Sequence, residues 1–343
     1  MKKILIIRPS AIGDVVMASP MIKVLRCAYP GARIAWLAEP QVKDLLASNP
    51  DLDQVFLWPK GHWRQLLRRG RLLALAREVS VLARQLRREE FDLAIDAMGL
   101  LKSRVLAWLS GARQRVGFDS REPGRSLMTR IVARGSGDKR MSSEYIRMME
   151  DLGLSPGGFE PHIAVSPEDE ESALEKLRGA GVEFPFAAFA PFTTRPQKHW
   201  LDERWAGVAR GVRDKFGMQA VMLGGPGDVE RGARIAACEE GTLVDLVGSM
   251  TLGQTAAVLK NCSLLIGVDT GLTHMGAAFD RPTVALFGST CPYLRTPRDK
   301  FRVLYSPMDC SPCRRRPTCE DGFLCMEALG QEDVLRAAQE VVA

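Results

Sequence analysis

The 343-residue sequence contains no uninterrupted apolar run long enough to cross a bilayer, so no helical membrane span is expected. Its opening, MKKILIIRPSAIGD, starts like an export signal, but Arg8 and Asp14 end the apolar stretch too early, and a cytoplasmic protein is expected. A P-loop and a G-x-G-x-x-G fingerprint are both missing; the Gly-rich turn Gly224-Gly225-Pro226-Gly227-Asp228 fits neither pattern. Zinc-finger and other nucleic-acid signatures are absent, and the arginine-rich segment lacks interleaved aromatics, so nucleic acid is not an expected partner. A D-x-D triplet, Asp51-Leu52-Asp53, stands in a turn with no cluster of ligands around it and is read as chance, not as a metal site. No residue-level repeat relates the two halves of the chain.

What is present is ordinary for a soluble globular chain: 46% apolar and 26% charged residues. The length suits two domains with a core each. The net charge of +6 hints at anionic partners. Short β-branched runs alternate with helical patterns throughout, which argues for parallel α/β domains. The first half carries strand patterns at Lys2–Ile7, Arg33–Leu37, Gln54–Leu57, Leu93–Asp96 and Arg115–Gly117. The second carries them at Phe186–Ala190, Gln219–Leu223, Leu243–Val247, Leu264–Val268, Thr283–Phe287 and Arg302–Tyr305. Composition shifts to Gly, Ser and Pro at Asp151–Gly158, so a linker is expected between there and Ser166. The divisions expected are 1–160, 161–330 and a final helical segment, 331–343.

Several loops at strand ends carry chemistry. Ile266–Gly288 reads as a buried strand, a turn at Asp269-Thr270-Gly271, a short helix and a second strand. That turn puts capping residues and a glycine at a helix start, where unpaired N–H groups and the helix dipole suit a phosphate; His274 lies one turn in. Ala190–Trp200, APFTTRPQKHW, offers Thr193 and Thr194 hydroxyls with Arg195, Lys198 and His199, a set suited to a diphosphate. At the N-terminus, Arg8–Asp14 turns from a strand into a helix that Pro20 kinks or divides. Asp14 there either complements the helix dipole or serves as a general base. His62–Arg88 carries eight arginines among leucines and alanines at helical spacing, either a solvated helix face or a surface for anionic lipid or phosphorylated saccharide.

Together RPSAIGDVVMASP, FDLAIDAMGLLKSRVLA, REP, APFTTRPQKHW, LGGPGDVER and VDTGLTHMGAAFDRPTVALFG resemble the lipopolysaccharide heptosyltransferases of glycosyltransferase family 9, across nearly the whole chain. The resemblance implies a GT-B fold: two Rossmann-like, doubly wound parallel-sheet domains facing a central cleft. The first would bind the acceptor, the second the nucleotide sugar, and the final helix would pack back on the first. It implies inverting transfer of heptose from ADP-heptose to the Kdo or inner-core region of nascent lipopolysaccharide, without a required cofactor, at the inner face of the cytoplasmic membrane. TTRPQKHW with VDTGLTHM is most similar to enzymes that add the first heptose; a later heptose step or another nucleotide sugar are the alternatives.

By the same resemblance Asp14 matches the general base and Lys198 the cation beside the leaving diphosphate. Thr193, Thr194, Thr270, Gly271 and His274 would surround the phosphates, Glu230 would hold the ribose, Met250 the adenine, and Asp269 the sugar or its loop. Ser10, Gly13, Arg64 and Arg121 match acceptor positions, the arginines for Kdo carboxylates or lipid A phosphates. Two features depart from the first-heptose pattern. Gly61-His62-Trp63-Arg64-Gln65 is less basic than such loops tend to be, and Cys310, Cys313, Cys319 and Cys325 resemble the tail of second-heptose and other family members. Those four thiols are open to three readings: a structural zinc, disulfides or neither. The last two cysteines lack C-x-x-C spacing, which weighs against zinc.

Overall fold

A computed structural model describes residues 1–135, 137–238, 241, 243–313, 317–319 and 322–343. The chain forms two compact units: 1–138 with 142–164, and 139–141 with 165–343.

The first unit holds a six-stranded sheet of β1 (Lys3–Ile7), β2 (Arg33–Ala38), β3 (Gln54–Leu57), β4 (Leu93–Asp96), β5 (Gln114–Phe118) and β6 (Arg130–Val132). Its order is β3-β2-β1-β4-β5-β6, and every pairing is parallel. The second unit holds β7 (Phe186–Ala190), β8 (Gln219–Met222), β9 (Leu243–Asp245), β10 (Leu264–Val268), β11 (Thr283–Phe287) and β12 (Phe301–Tyr305). Its order, β9-β8-β7-β10-β11-β12, repeats that of the first sheet and is also fully parallel. This is the doubly wound order, in which ligands bind beyond the carboxyl ends of the strands, where the winding reverses. In the first sheet the reversal lies between β1 and β4; in the second it lies between β7 and β10.

The central strands KILII, FAAFA, LLIGV and TVALF are almost wholly buried. Helices cover both faces of a parallel sheet, so its strands read as continuous apolar runs without alternation. The strand β6 is short and begins on an arginine, and carries no such run. The helix after β1 is divided: Ile12–Ala18 ends at Ser19, and Pro20 opens Pro20–Ala28, where its missing N–H costs nothing. The arginine-rich segment is likewise two helices, Lys60–Arg68 and Leu72–Arg88, separated at Gly70 with φ +66°. The final helix, Gln331–Val342, buries Val334, Leu335, Ala338 and Val341 in the core of the second unit, against Val212 and Leu286, because its apolar stripe completes that sheet's covering layer. Among the described residues no helix is long and apolar enough to cross a membrane.

Asp53 of the D-x-D triplet is a structural residue. Its carboxylate accepts from the Ile34 N–H at 2.7 Å and from Arg26 at 2.7 Å, tying β2 to the turn before β3.

Candidate active site

In the second unit, β10 ends at Val268 and the chain turns through Asp269 and Thr270 into the helix Gly271–Ala278. Thr270 is the N-cap, yet its hydroxyl makes no capping bond. The first-turn N–H groups therefore stay available at the positive end of the helix. The turn is tight. Thr273 Oγ1 donates to the Val268 carbonyl at 2.6 Å, and a Cβ on Gly267 would stand 2.2 Å from that hydroxyl.

Asp269 is 7% exposed and gathers the site around it. Lys198 Nζ lies 2.6 Å from one carboxylate oxygen and His274 Nε2 3.3 Å from the other. Thr290 also donates its hydroxyl to the carboxylate. Burial alone would raise the Asp269 pKa, but His274 and Lys198 outweigh it and hold the carboxyl well below the usual carboxylate range. Behind His274, its Nδ1 shares a hydrogen bond of 2.7 Å with the buried Tyr293 hydroxyl. Burial keeps that phenol protonated by pushing its pKa well up.

The loop after β7 is tied to the same turn. Thr193 Oγ1 donates to the Asp269 carbonyl at 3.5 Å, and the Thr193 N–H donates to His199 Nε2 at 3.3 Å. Burial, then the Arg231 charge, lowers the His199 pKa to about 4, so the ring is neutral near pH 7 and able to accept that bond. Thr194 is exposed in the same loop. Lys198, Thr193, Asp269, Thr270, Gly271 and His274 thus form one cluster at the reversal between β7 and β10. Glu230 and Met250 follow β8 and β9. Glu230 is exposed and pairs with Arg234 at 3.0 Å; Met250 is half-buried just before the helix Leu252–Asn261.

In the first unit, Asp14 is the third residue of Ile12–Ala18, beyond the end of β1. Its carboxylate accepts from the Ala11 N–H at 3.3 Å and meets the buried Arg8 guanidinium at 2.5 Å. Burial works to lower the Arg8 pKa, but Tyr145, Asp14 and Glu144 raise it overall, so the clamp stays charged. Ser10 donates to Glu39 Oε1 at 2.7 Å, and Lys60 Nζ reaches the same oxygen at 2.9 Å. Gly13 is buried in the first helical turn, whereas Arg64 and Arg121 are exposed. The Arg-Glu-Pro turn is held from below by Arg104, fully buried, which donates to the carbonyls of Phe118, Glu122 and Pro123 at 2.6–3.1 Å.

Sequence reasoning missed Arg8 and Glu39, the partners of Asp14 and Ser10, as well as Thr290 and Tyr293. Arg8 stood inside the first motif, two residues from Ser10. Tyr293 carried no local signal, because only folding brings it to His274.

Residues 79–323 match the model of glycosyltransferase family 9 (heptosyltransferase). The chain is also 30% identical, over 93% of its length and 89% of the relative's, to lipopolysaccharide heptosyltransferase 1 of Pseudomonas aeruginosa. The chain belongs to glycosyltransferase family 9. Lipopolysaccharide heptosyltransferase 2 of Escherichia coli is 27% identical over 88% of this chain and 87% of its own. The Escherichia coli heptosyltransferase WaaC with ADP-2-deoxy-2-fluoro heptose superposes with a TM-score of 0.74 at 25% identity, covering 98% of this chain and 99% of WaaC. This family 9 member is therefore a glycosyltransferase of GT-B fold.

The four C-terminal cysteines are free thiols, and those of Cys313 and Cys325 are pushed up first by burial and then by the neighbouring thiols. Among the described residues no group of three or more His, Cys, Asp or Glu side chains is arranged to hold a metal ion. Residues 314–316, 320 and 321, which interleave with the cysteines, lie outside the described residues.

Proposed function

We propose that this glycosyltransferase moves heptose from ADP-heptose to the Kdo of a lipid A-bearing acceptor, with inversion at the anomeric carbon. The observation that carries the reading is the Asp269-centred cluster, which sets Lys198 and a free helix N-terminus at the sheet reversal of the second unit. Lys198 has three N–H donors, so it can keep Asp269 and still meet a phosphate oxygen. As the bond from the anomeric carbon to the diphosphate breaks, negative charge grows on ADP. Lys198, the Thr193, Thr194 and Thr270 hydroxyls and the first-turn N–H groups would receive it, fixed in place before the reaction. Glu230 would hold the ribose and Met250 the adenine.

Asp14 would take the proton from the acceptor hydroxyl as that oxygen attacks the anomeric carbon. Arg8 orients the carboxylate for this task. Ser10 and Gly13 would flank the acceptor, and Arg64 and Arg121 would meet its carboxylates or phosphates. The acceptor places the reaction at the inner face of the cytoplasmic membrane. Addition of a later heptose is the second reading, favoured by the second-heptose relative at 27% identity.

The experiment is a thermal-shift titration of the whole chain with ADP-, UDP- and GDP-sugars. Stabilisation by ADP-heptose at concentrations where the others do nothing is expected. Equal shifts from all three would remove the donor assignment.

A further inference from the structure

The loop that follows β11 brings two side chains to the Asp269 cluster. Thr290 donates directly to Asp269 Oδ2, the oxygen that also takes Lys198. Tyr293 reaches the cluster through His274. Its ring is fully buried and packs against Phe287 and Phe301, at centroid distances of 5.2 and 6.0 Å. That packing fixes where the phenol oxygen stands, 2.7 Å from His274 Nδ1. The imidazole is itself buried against Tyr293 and Phe287, at centroid distances of 5.4 and 6.4 Å.

The protons along this chain follow from matching donors to acceptors. Burial keeps the phenol protonated, so its O–H needs an acceptor. Among the described residues that acceptor is His274 Nδ1. A phenol that donates to Nδ1 requires that nitrogen to be bare. The ring N–H then sits on Nε2, which faces Asp269 Oδ1 at 3.3 Å. The opposite tautomer would set the Nε2 lone pair against a carboxylate and leave the phenol hydrogen without an acceptor, both inside the protein.

The two oxygens of Asp269 have different work. Lys198 and Thr290 share Oδ2, and His274 meets Oδ1. The imidazole therefore sets the rotation of the carboxylate. The carboxylate, with its own main-chain carbonyl 3.4 Å from the Lys198 Nζ, sets the direction of the ammonium.

We infer that Tyr293 is a positioning residue of the transferase site: it holds His274 as the Nε2–H tautomer, so that the imidazole locks Asp269 and, through it, the Lys198 ammonium that would meet the leaving diphosphate. Which ring nitrogen carries the proton is set by the bond made at the other nitrogen, and a buried partner there also fixes the orientation of the ring. A cation that must reorient as charge develops stabilises that charge less than one already in place. Tyr293 touches no reacting atom. The kinetic arm of the test rests on the proposed function; the spectroscopic arm rests on the fold alone.

The first measurement labels the histidines of the full chain with nitrogen-15 and records long-range proton–nitrogen spectra near neutral pH. Tyr293→Phe keeps the buried ring and its contacts with Phe287 and Phe301. The His274 signals are assigned by their absence from His274→Gln. A bare Nδ1 and a protonated Nε2 are expected in the wild type, with exchange between the two tautomers in Tyr293→Phe. A protonated Nδ1 in the wild type, or the same His274 spectrum in both proteins, would overturn the inference. The second measurement is acceptor-dependent ADP release. In Tyr293→Phe kcat should fall about 10- to 100-fold, the range seen when an oriented imidazole loses its outer partner. In a His274→Gln background the same substitution should have no further effect, because the tyrosine acts through the ring. Unchanged kcat in Tyr293→Phe, or losses that add in the double variant, would overturn the positioning role. A wild type that releases no ADP from ADP-heptose would end the transferase reading instead, and the spectra would still decide the Tyr293–His274–Asp269 chain.

Discussion

Replacing Asp269 by Asn separates the two roles of the central cluster. The side chain keeps its shape, but the Lys198 side chain, 16% exposed, then faces a neutral amide from a pocket where the Asp269 carboxylate is almost wholly buried. Removing one partner of a fully buried pair costs about 3–5 kcal/mol. Partial solvation of Lys198 reduces this to roughly 2–4 kcal/mol. At about 2–4 °C per kcal/mol for a unit of this size, the midpoint should fall by roughly 4–16 °C. Because the folded-state pKa of Asp269 is depressed, its contribution is fully present above the ordinary Asp value. It is lost only as pH falls through the lower folded value, so the deficit should be constant from pH 5 to pH 8 and shrink in stronger acid. Lys198→Ala should behave differently. It leaves Asp269 with His274 and Thr290, so stability falls less, while kcat falls about 100- to 1,000-fold through the lost phosphate contact. Differential scanning calorimetry of both variants and the double variant closes the cycle. The double variant should be no less stable than Asp269→Asn alone. Strictly additive losses would show that Lys198 and Asp269 do not act as a pair, and the cluster would lose its basis.

Asp14→Ala should lower kcat by about 100- to 10,000-fold while the thermal shift with ADP-heptose stays intact, and unchanged turnover would remove the general-base role. His199 is neutral in the fold, with a pKa of about 4 against the ordinary value of 6.5. Its contribution is therefore present above pH 6.5 and declines as pH falls towards 4, so thermal midpoints across that range should drop less steeply in His199→Gln than in the wild type. Gly267→Ala drives a Cβ into Thr273 and Ala190, at 2.2 and 2.9 Å, and should cost about 1–3 kcal/mol in a denaturant titration.

Much of the fold was legible because parallel strands buried on both faces announce themselves as apolar runs. Ile266, Val268, Val284 and Leu286 needed no context to be read as strand interior. The strand Arg130–Val132 was not legible, since three residues opened by an arginine carry no periodicity. The final helix was readable as a helix, but nothing in its stripe says which sheet it covers; Val334 and Leu335 reveal that only in contact. Within the site, the helix-start turn and the Thr-Lys loop were visible because each is a contiguous motif with its own local chemistry. The partners that fix them were not. Tyr293 reaches His274, Thr290 reaches Asp269, and Glu39 reaches Ser10 through folding alone, across sequence gaps with no pattern to mark them.

The most direct test is ADP release from ADP-heptose, with and without Kdo-bearing lipid A, in the presence of EDTA. Release that requires the acceptor and survives chelation is predicted, and it should vanish in both Asp14→Ala and Lys198→Ala. Release only with an already heptosylated core would move the enzyme to a later step. No acceptor-dependent release from ADP-heptose with either acceptor, from protein that remains folded, would contradict the account.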